Sequence, residues 1–333
     1  MKVLFIGGTG VISSEAAALA IREGIDLTLL TRGRSAARPA PAGARVLRAD
    51  IRDPESVARA LAGQSFDAAV DWIAYEPHHV QADIDLFAGR VGQYVFISSA
   101  SAYQTPPDRL PVTEATPLAN PFWEYARQKI ECERLLERAR HDEKFPVTIV
   151  RPSHTYDATK VPLPGGWTTL ERMKRGKPVL VPGDGTSLWT LTHARDFARG
   201  FVPLLGNARA VGEAVHITSD EWLPWNRIYG ILAEALGVEP RLVHVPSELV
   251  HAYDPQFGAG LLGDKSRSRI FDNGRIRQLA PGFRCDTPFA AGAREIVAWH
   301  EADPARRAVD PAVERLIDRV LAAYAKAWPG ASC

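Results

Sequence analysis

Long hydrophobic runs are missing from this chain of 333 residues; no apolar stretch reaches the ~18 residues of a membrane-spanning helix, so no span is expected. The charged-then-apolar opening of a signal peptide is also lacking, because Met1-Lys2-Val3-Leu4-Phe5-Ile6 enters a strand-like run at once and meets glycines. Cysteine is scarce: Cys132, Cys285 and Cys333 are odd in number, far apart and without metal-ligand spacing. That argues against a disulfide framework and implies reduced thiols in a cytoplasmic protein. The net charge is only +1 and no basic block occurs, which leaves no electrostatic footprint for nucleic acid. His78 and His79 have no accompanying ligand cluster, so no metal is expected. Internal repeats are absent, and the one biased stretch is a short Ala/Pro/Arg loop at 35–43. With 46% apolar and 24% charged residues, what remains is ordinary globular material, long enough for one large or two modest domains.

Val3-Leu4-Phe5-Ile6 is a short continuous apolar run, the pattern of a strand buried on both faces of a parallel sheet. It runs into Gly7-Gly8-Thr9-Gly10-Val11-Ile12-Ser13 and then an alanine-rich stretch predicted to be helical over 14–23. Strand, glycine turn and helix N-terminus make a pyrophosphate seat: glycines let backbone N–H groups approach the anion, and the helix dipole favours it. The spacing Gly7-x-x-Gly10-x-x-Ser13 puts serine where a third glycine usually lets helix and strand pack closely. Leu27-Thr28-Leu29-Leu30 reads as a second strand, ending at Thr31-Arg32-Gly33-Arg34. An NAD site usually places a carboxylate here for the ribose 2′-hydroxyl. Arg32 and Arg34 suit a 2′-phosphate instead, which favours NADP(H) over NAD. The alternative is that Arg32 stacks on adenine and Arg34 is a solvated loop charge.

Further strands are predicted at 45–49, 67–74 and 93–97, with Asp53 capping a helix whose first turn holds Pro54. Repeated β-α units of this length predict an α/β fold with a Rossmann-type doubly wound parallel sheet. Gly7, Arg32, Asp50, Ala74 and Ser99 all fall at the carboxyl ends of strands, where such sheets bind ligands. The fifth strand leads into Ser98-Ser99-Ala100-Ser101-Ala102-Tyr103, and Trp123-Glu124-Tyr125-Ala126-Arg127-Gln128-Lys129 follows. On a helix, Tyr125 and Lys129 share one face, one turn apart. A phenol titrates near pH ~10 in water and is a poor base at neutral pH. A nearby ammonium stabilises the phenolate, and a serine hydroxyl would hold a substrate oxygen against it. These parts suit moving a proton on or off a carbinol oxygen while a hydride moves elsewhere.

Taken together, these residues resemble the extended short-chain dehydrogenase/reductases, the NAD-dependent epimerase/dehydratase group. The resemblance covers nearly the whole chain: the glycine turn, Asp50-Ile51-Arg52-Asp53, the Ser98–Tyr103 strand end and Pro111-Val112-Thr113-Glu114 all take part. It continues through Tyr125-x-x-x-Lys129, Val150-Arg151-Pro152, Thr192-His193-Ala194-Arg195-Asp196-Phe197-Ala198 and a late segment around Phe271-Asp272-Asn273. It implies a Rossmann domain at 1–155 and a smaller α/β substrate domain, mostly 156–333 and discontinuous, with segments such as 179–200 returning to the first. It implies that Tyr125 is the acid/base, that Lys129 holds the nicotinamide ribose and lowers the tyrosine pKa, and that Ser99 orients the substrate oxygen. The implied dinucleotide contacts are Gly7, Gly8, Thr9, Gly10, Val11, Ile12, Arg32, Arg34, Asp50, Ile51, Ala74 and Lys129. Ser101 would be a substrate-side neighbour, and Trp123 either a packed aromatic or a substrate wall.

Asn120 is expected to cap the Tyr125 helix with Pro121 at its first position, and by resemblance that helix builds a homodimer interface. Later helices are predicted at 168–175, 196–205 and 221–236, and a docking helix over 310–328 carries Val313, Leu316, Ile317, Val320, Leu321 and Tyr324. Two departures bear on substrate. Nucleotide-sugar epimerases usually place a diphosphate-gripping arginine where this chain has Trp189, which supplies no charge but can stack on a ring. A common asparagine is replaced by His154, which is either a polar substrate contact, a proton relay or a structural histidine. Arg267 and Arg269 are candidates for the missing grip. The first reading is an epimerase or dehydratase acting on a sugar or nucleotide-sugar through a transient keto intermediate. Its alternatives are an NADPH-dependent carbonyl reductase on a smaller substrate and a non-catalytic dinucleotide sensor.

Overall fold

The computed structural model describes residues 1–33 and 37–327. Strands β1 (Lys2–Ile6), β2 (Asp26–Thr31), β3 (Arg45–Arg48), β4 (Ala68–Asp71), β5 (Gln93–Ile97) and β6 (Val147–Pro152) come first, with helices α1 (Val11–Arg22), α2 (Pro54–Leu61), α3 (Pro77–Phe87) and α4 (Glu124–Asp142) between them. After them come β7 (His154–Tyr156), α5 (Trp167–Lys174), β8 (Pro178–Pro182), β9 (Leu188–Trp189), β10 (Leu191–His193) and α6 (Ala194–Phe201). Then follow β11 (Ala214–Ile217), β12 (Leu223–Pro224), α7 (Trp225–Leu236) and β13 (Arg241–Val245).

Seven strands form one parallel sheet in the order β11-β6-β5-β4-β1-β2-β3. The chain winds outward in both directions from β1 and β4, so a crevice opens at their carboxyl ends. The apolar run of β1 explains its central place. Val3 and Phe5 face a core that includes Ala16, Ala17, Ala20, Phe197 and Phe201, whereas Leu4 and Ile6 face one that includes Val80, Ile84, Cys132 and Leu136. Alternate side chains thus bury opposite faces, with α1 and α6 on one side and α3 and α4 on the other. The alanines let α1 lie close. Ser13 is tolerated there because its buried hydroxyl accepts from Gly10 N at 2.7 Å and lies 3.3 Å from Gly7 O.

A second core gathers Trp167, Leu170, Trp189, Trp225, Tyr229 and Phe289 from the C-terminal half, beside the parallel pair β8–β13. The last helix, Pro311–Lys326, is capped by Asp310 and packs Leu316, Ile317 and Val320 against Leu180, Val245, Val250 and Leu261. Two expectations need correction, the first of them only in part. The strand that rejoins the main sheet is β11, outside 179–200; within that segment β8 pairs with β13, and only α6 packs against α1. Helix α4 starts at Glu124 with Trp123 as its N-cap, not at Asn120. Asn120 Oδ1 accepts from Phe122 N and Trp123 N, while its Nδ2 donates to Ser101 O and Gly263 O. Those tertiary bonds hold it in a turn ahead of the helix. Arg34 and the end of the predicted tail, from Trp328, lie outside the described residues.

Candidate active site

The crevice is a cleft of about 460 Å³. Its floor is the glycine turn, where Gly7 has φ +91° and Gly10, Val11 and Ile12 open α1. The first amides of a helix have no intrahelical partner, so those bordering the cleft suit an anion. Gly8 turns the other way: a Cβ there would come 2.6 Å from Leu29 Cδ2, so its smallness serves packing against β2. Thr9 borders a second cavity of about 700 Å³, lined also by Thr31, Gly33, Val46 and Arg48. Arg32 and Asp50 reach each other at 3.7 Å, both well exposed. Ile51 packs at the edge of the sheet core and borders neither cavity.

Tyr125, Ser99, Ser101, Trp123, His154 and Trp189 all border the first cleft together with Lys129. Ser99 caps the turn Ala100–Ala102, its Oγ accepting from Ser101 N at 3.1 Å and lying 2.8 Å from Ser101 Oγ. Ser98 is turned away onto buried Glu133. Glu133 is paired in turn with Arg151 at 2.5 Å, which ties α4 to β6 under the site. Arg151 also donates to Tyr103 Oη, 3.0 Å from His216 Nδ1.

Lys129 is almost completely buried and donates to Ala74 O at 2.6 Å and Ile97 O at 2.7 Å. An ammonium has three donors, so one remains at the cleft wall. Burial pulls its pKa down to about 8, against the raising influence of Cys132, Asp71 and Glu133. Ala74 is thus a contact of Lys129 through its carbonyl. The loop that carries it is shaped by Asp71, whose Oδ1 accepts from Ile73 N at 2.5 Å and Ala74 N at 2.8 Å. Tyr125 is pushed above the usual phenol range by burial and by Tyr75, with a hydrogen bond from Ser99 acting the other way. The ammonium of Lys129 lies 5.9 Å from the Tyr125 ring centre and is not a main influence on its titration. Burial thus outweighs the lowering of Tyr125 that the resemblance assigns to Lys129.

On the substrate side, Trp123 leans on Tyr125 with ring centres 4.9 Å apart, and Trp189 stacks on Trp225 at 5.4 Å. Trp189 Nε1 donates to His154 Nδ1 at 3.1 Å, so the two departures from the family pattern are bonded to each other. Arg269 borders the cleft, fully buried on Thr105 Oγ1 and Gln104 O, whereas Arg267 is exposed and away from it. Tyr75, Lys160, Asp264 and Lys265 also line the cleft. No sequence signal marked the last three, because they reach the site through tertiary folding alone. Arg48 carried a usable signal, standing at the carboxyl end of β3. At the exposed start of α3, Glu76, His78 and His79 lie within 4.8 Å of one another, but His79 Nδ1 already accepts from Tyr75 N and Glu76 N.

A doubly wound sheet with a glycine turn at its switch point, and a serine, tyrosine and buried lysine above it, defines a dinucleotide-dependent enzyme of the short-chain dehydrogenase/reductase class. The model described as "NAD dependent epimerase/dehydratase family" matches residues 3–218, and the chain belongs to that family. It is 30% identical over 290 residues to the 2'-dehydrokanamycin reductase of Streptomyces kanamyceticus, covering 85% of this chain and 80% of that one. It is 28% identical over 256 residues to the chloroplast stem-loop binding protein of 41 kDa b of Arabidopsis thaliana, covering 73% and 65%. The UDP-glucuronic acid 4-epimerase of Bacillus cereus, solved with NAD, shares the fold with a TM-score of 0.72 at 16% identity, over 91% of this chain and 99% of that one. Among the described residues no helix is long and apolar enough to cross a membrane.

Proposed function

We propose that this enzyme performs net, reversible hydride transfer between NADP(H) and a sugar-sized carbinol or ketone. The observation that carries this reading is the Trp189–His154 contact. Where a diphosphate-gripping arginine is expected, an indole N–H is engaged by its neighbour, and the wall offers no guanidinium at that position. A dinucleotide suits two cavities that both border the glycine turn, one at Gly10 and the other at Thr9. Arg32 and Arg48 are the described cations for a 2′-phosphate: a Cβ on Gly33 would lie 3.6 Å from the Arg48 guanidinium carbon, so the backbone passes close beside it.

When bound, the nicotinamide supplies or accepts the hydride. The protein's part is to place the oxygen and manage its proton. Ser99 holds the substrate oxygen, and Tyr125, kept protonated by burial, donates its proton as the carbonyl becomes a carbinol. The remaining N–H of Lys129 holds a ribose hydroxyl. In the reverse direction Tyr125 must first have lost its proton to solvent, and its phenolate oxygen then accepts the carbinol proton; the oxidised cofactor, when bound, would supply positive charge that favours the phenolate. Tyr125→Phe should lower turnover by at least ~100-fold and leave NADPH affinity nearly intact, as read by fluorescence titration. Undiminished turnover in that variant would sink the reading.

A second reading, the nucleotide-sugar epimerase or dehydratase, is supported by the cations Lys160, Lys265 and Arg269 around the cleft. Mass spectrometry of small molecules released on denaturation separates the two. Stoichiometric retained dinucleotide favours internal hydride recycling, and an empty protein that binds NADPH reversibly favours the net reductase. Either way the partner we propose is a small molecule, not nucleic acid. A cytoplasmic setting is supported by Cys132 and Cys285, free thiols that burial pushes up to about 12. A homodimer remains the implication of the resemblance alone.

A further inference from the structure

We propose that Trp189 and His154 act as one specificity element, presenting a fixed N–H donor to an anionic substituent of the substrate, a carboxylate or a phosphate. The inference rests on the cleft being the substrate site, and it adds which substrate group is read there. Trp189 Nε1 can only donate, so His154 Nδ1 must accept across the 3.1 Å between them. A neutral imidazole that accepts on Nδ1 carries its proton on Nε2. The histidine is kept neutral, well below its usual range, by burial and by the ammonium groups of Lys265 and Lys160.

The surroundings favour an anion. Lys265 Nζ sits 5.7 Å from the Trp189 ring centre and 5.6 Å from that of Trp123, and Trp123 leans on Tyr125. This continuous chain joins the donor to the proton-transfer residue. Arg269 borders the same cleft, and its buried Nε has no hydrogen-bond partner, which is costly for a guanidinium unless a ligand supplies an acceptor. The acid in the wall is Asp264, 3.7 Å from Lys265 and pushed upward by burial. The lining cations Lys129, Lys160, Lys265 and Arg269 therefore outnumber its carboxylate, and an ammonium-bearing substrate would meet repulsion.

The test is long-range 1H–15N correlation of 15N-histidine protein, with His154 identified by the signal lost in His154→Gln. The expected result is the Nε2–H tautomer, still neutral at pH 6, and conversion to an ordinary titrating imidazole in Trp189→Phe. Sodium acetate and inorganic phosphate should each be tried as probes, with methylammonium chloride as control. A saturable shift of the Nε2–H signal by acetate alone assigns a carboxylate, and one by phosphate assigns a phosphate; the shift should weaken at least tenfold in Lys265→Ala. The Nδ1–H tautomer, normal titration in the wild type, or a signal that responds to neither anion would overturn the proposal. None of these readouts depends on hydride transfer, so they stand apart from failure of the proposed reaction, which the Tyr125→Phe experiment detects.

Discussion

At the scale of single residues, Lys129 shows how burial couples binding to pH. Its pKa of about 8 in the fold lies far below the ~10.4 of an exposed lysine. Between those values the unfolded chain holds a proton that the folded chain has lost, so this group makes stability rise with pH across that window. The ammonium's hold on a ribose hydroxyl moves oppositely, because a neutral amine is the weaker donor. NADPH affinity should therefore fall several-fold between pH 7 and pH 9, and the fall should vanish in Lys129→Met, as measured by fluorescence titration. A wild-type affinity that is flat across this range would show that the charge on Lys129 does not hold the cofactor. The sequence pattern placed Lys129 and Tyr125 correctly on one face of a helix. It could not show that the ammonium bonds two strand-end carbonyls and reaches the tyrosine only from a distance.

At the scale of elements, the first half of the chain was legible because its signals are local. Four apolar residues before a glycine turn suffice for β1, and Asp53 does cap α2 through Glu55 N and Ser56 N. The start of α4 misled because Asn120 looks like a cap, yet its amide is held by Ser101 and Gly263, the latter 143 residues away. What fixes α4 in place is equally non-local: Glu133 meets Arg151 of β6, both almost fully buried. Removing one partner of such a pair strands the other charge out of water, at a cost of about 3–5 kcal/mol. Arg151→Leu should lose that much stability in urea unfolding, and adding Glu133→Leu should recover most of it. A single variant as stable as the parent would mean that Glu133 takes up a proton or finds water instead.

At the scale of the whole molecule, the cleft lies between the parallel sheet and a wall built from 154–193 and 261–271, and this wall was the least legible part. Arg269 meets Thr105 across 164 positions, and Trp225 Nε1 bonds Lys265 O across 40, distances over which periodicity says nothing. The same scale decides association. A dimer through α4 would have to bury its outer face, which carries the ion pairs Glu124–Arg127, Glu131–Arg134 and Glu137–Arg140 within its own helix. The neighbouring face of α3 exposes Gln81, Ala82 and Asp85. Stable homodimer interfaces are apolar at their centre, and charges already paired along a helix gain little from a second copy while losing water. Light scattering at tens of micromolar should therefore give a single species at the 36.4 kDa of one chain. Twice that mass, dissociated by Arg134→Glu, would show that the charged face is an interface.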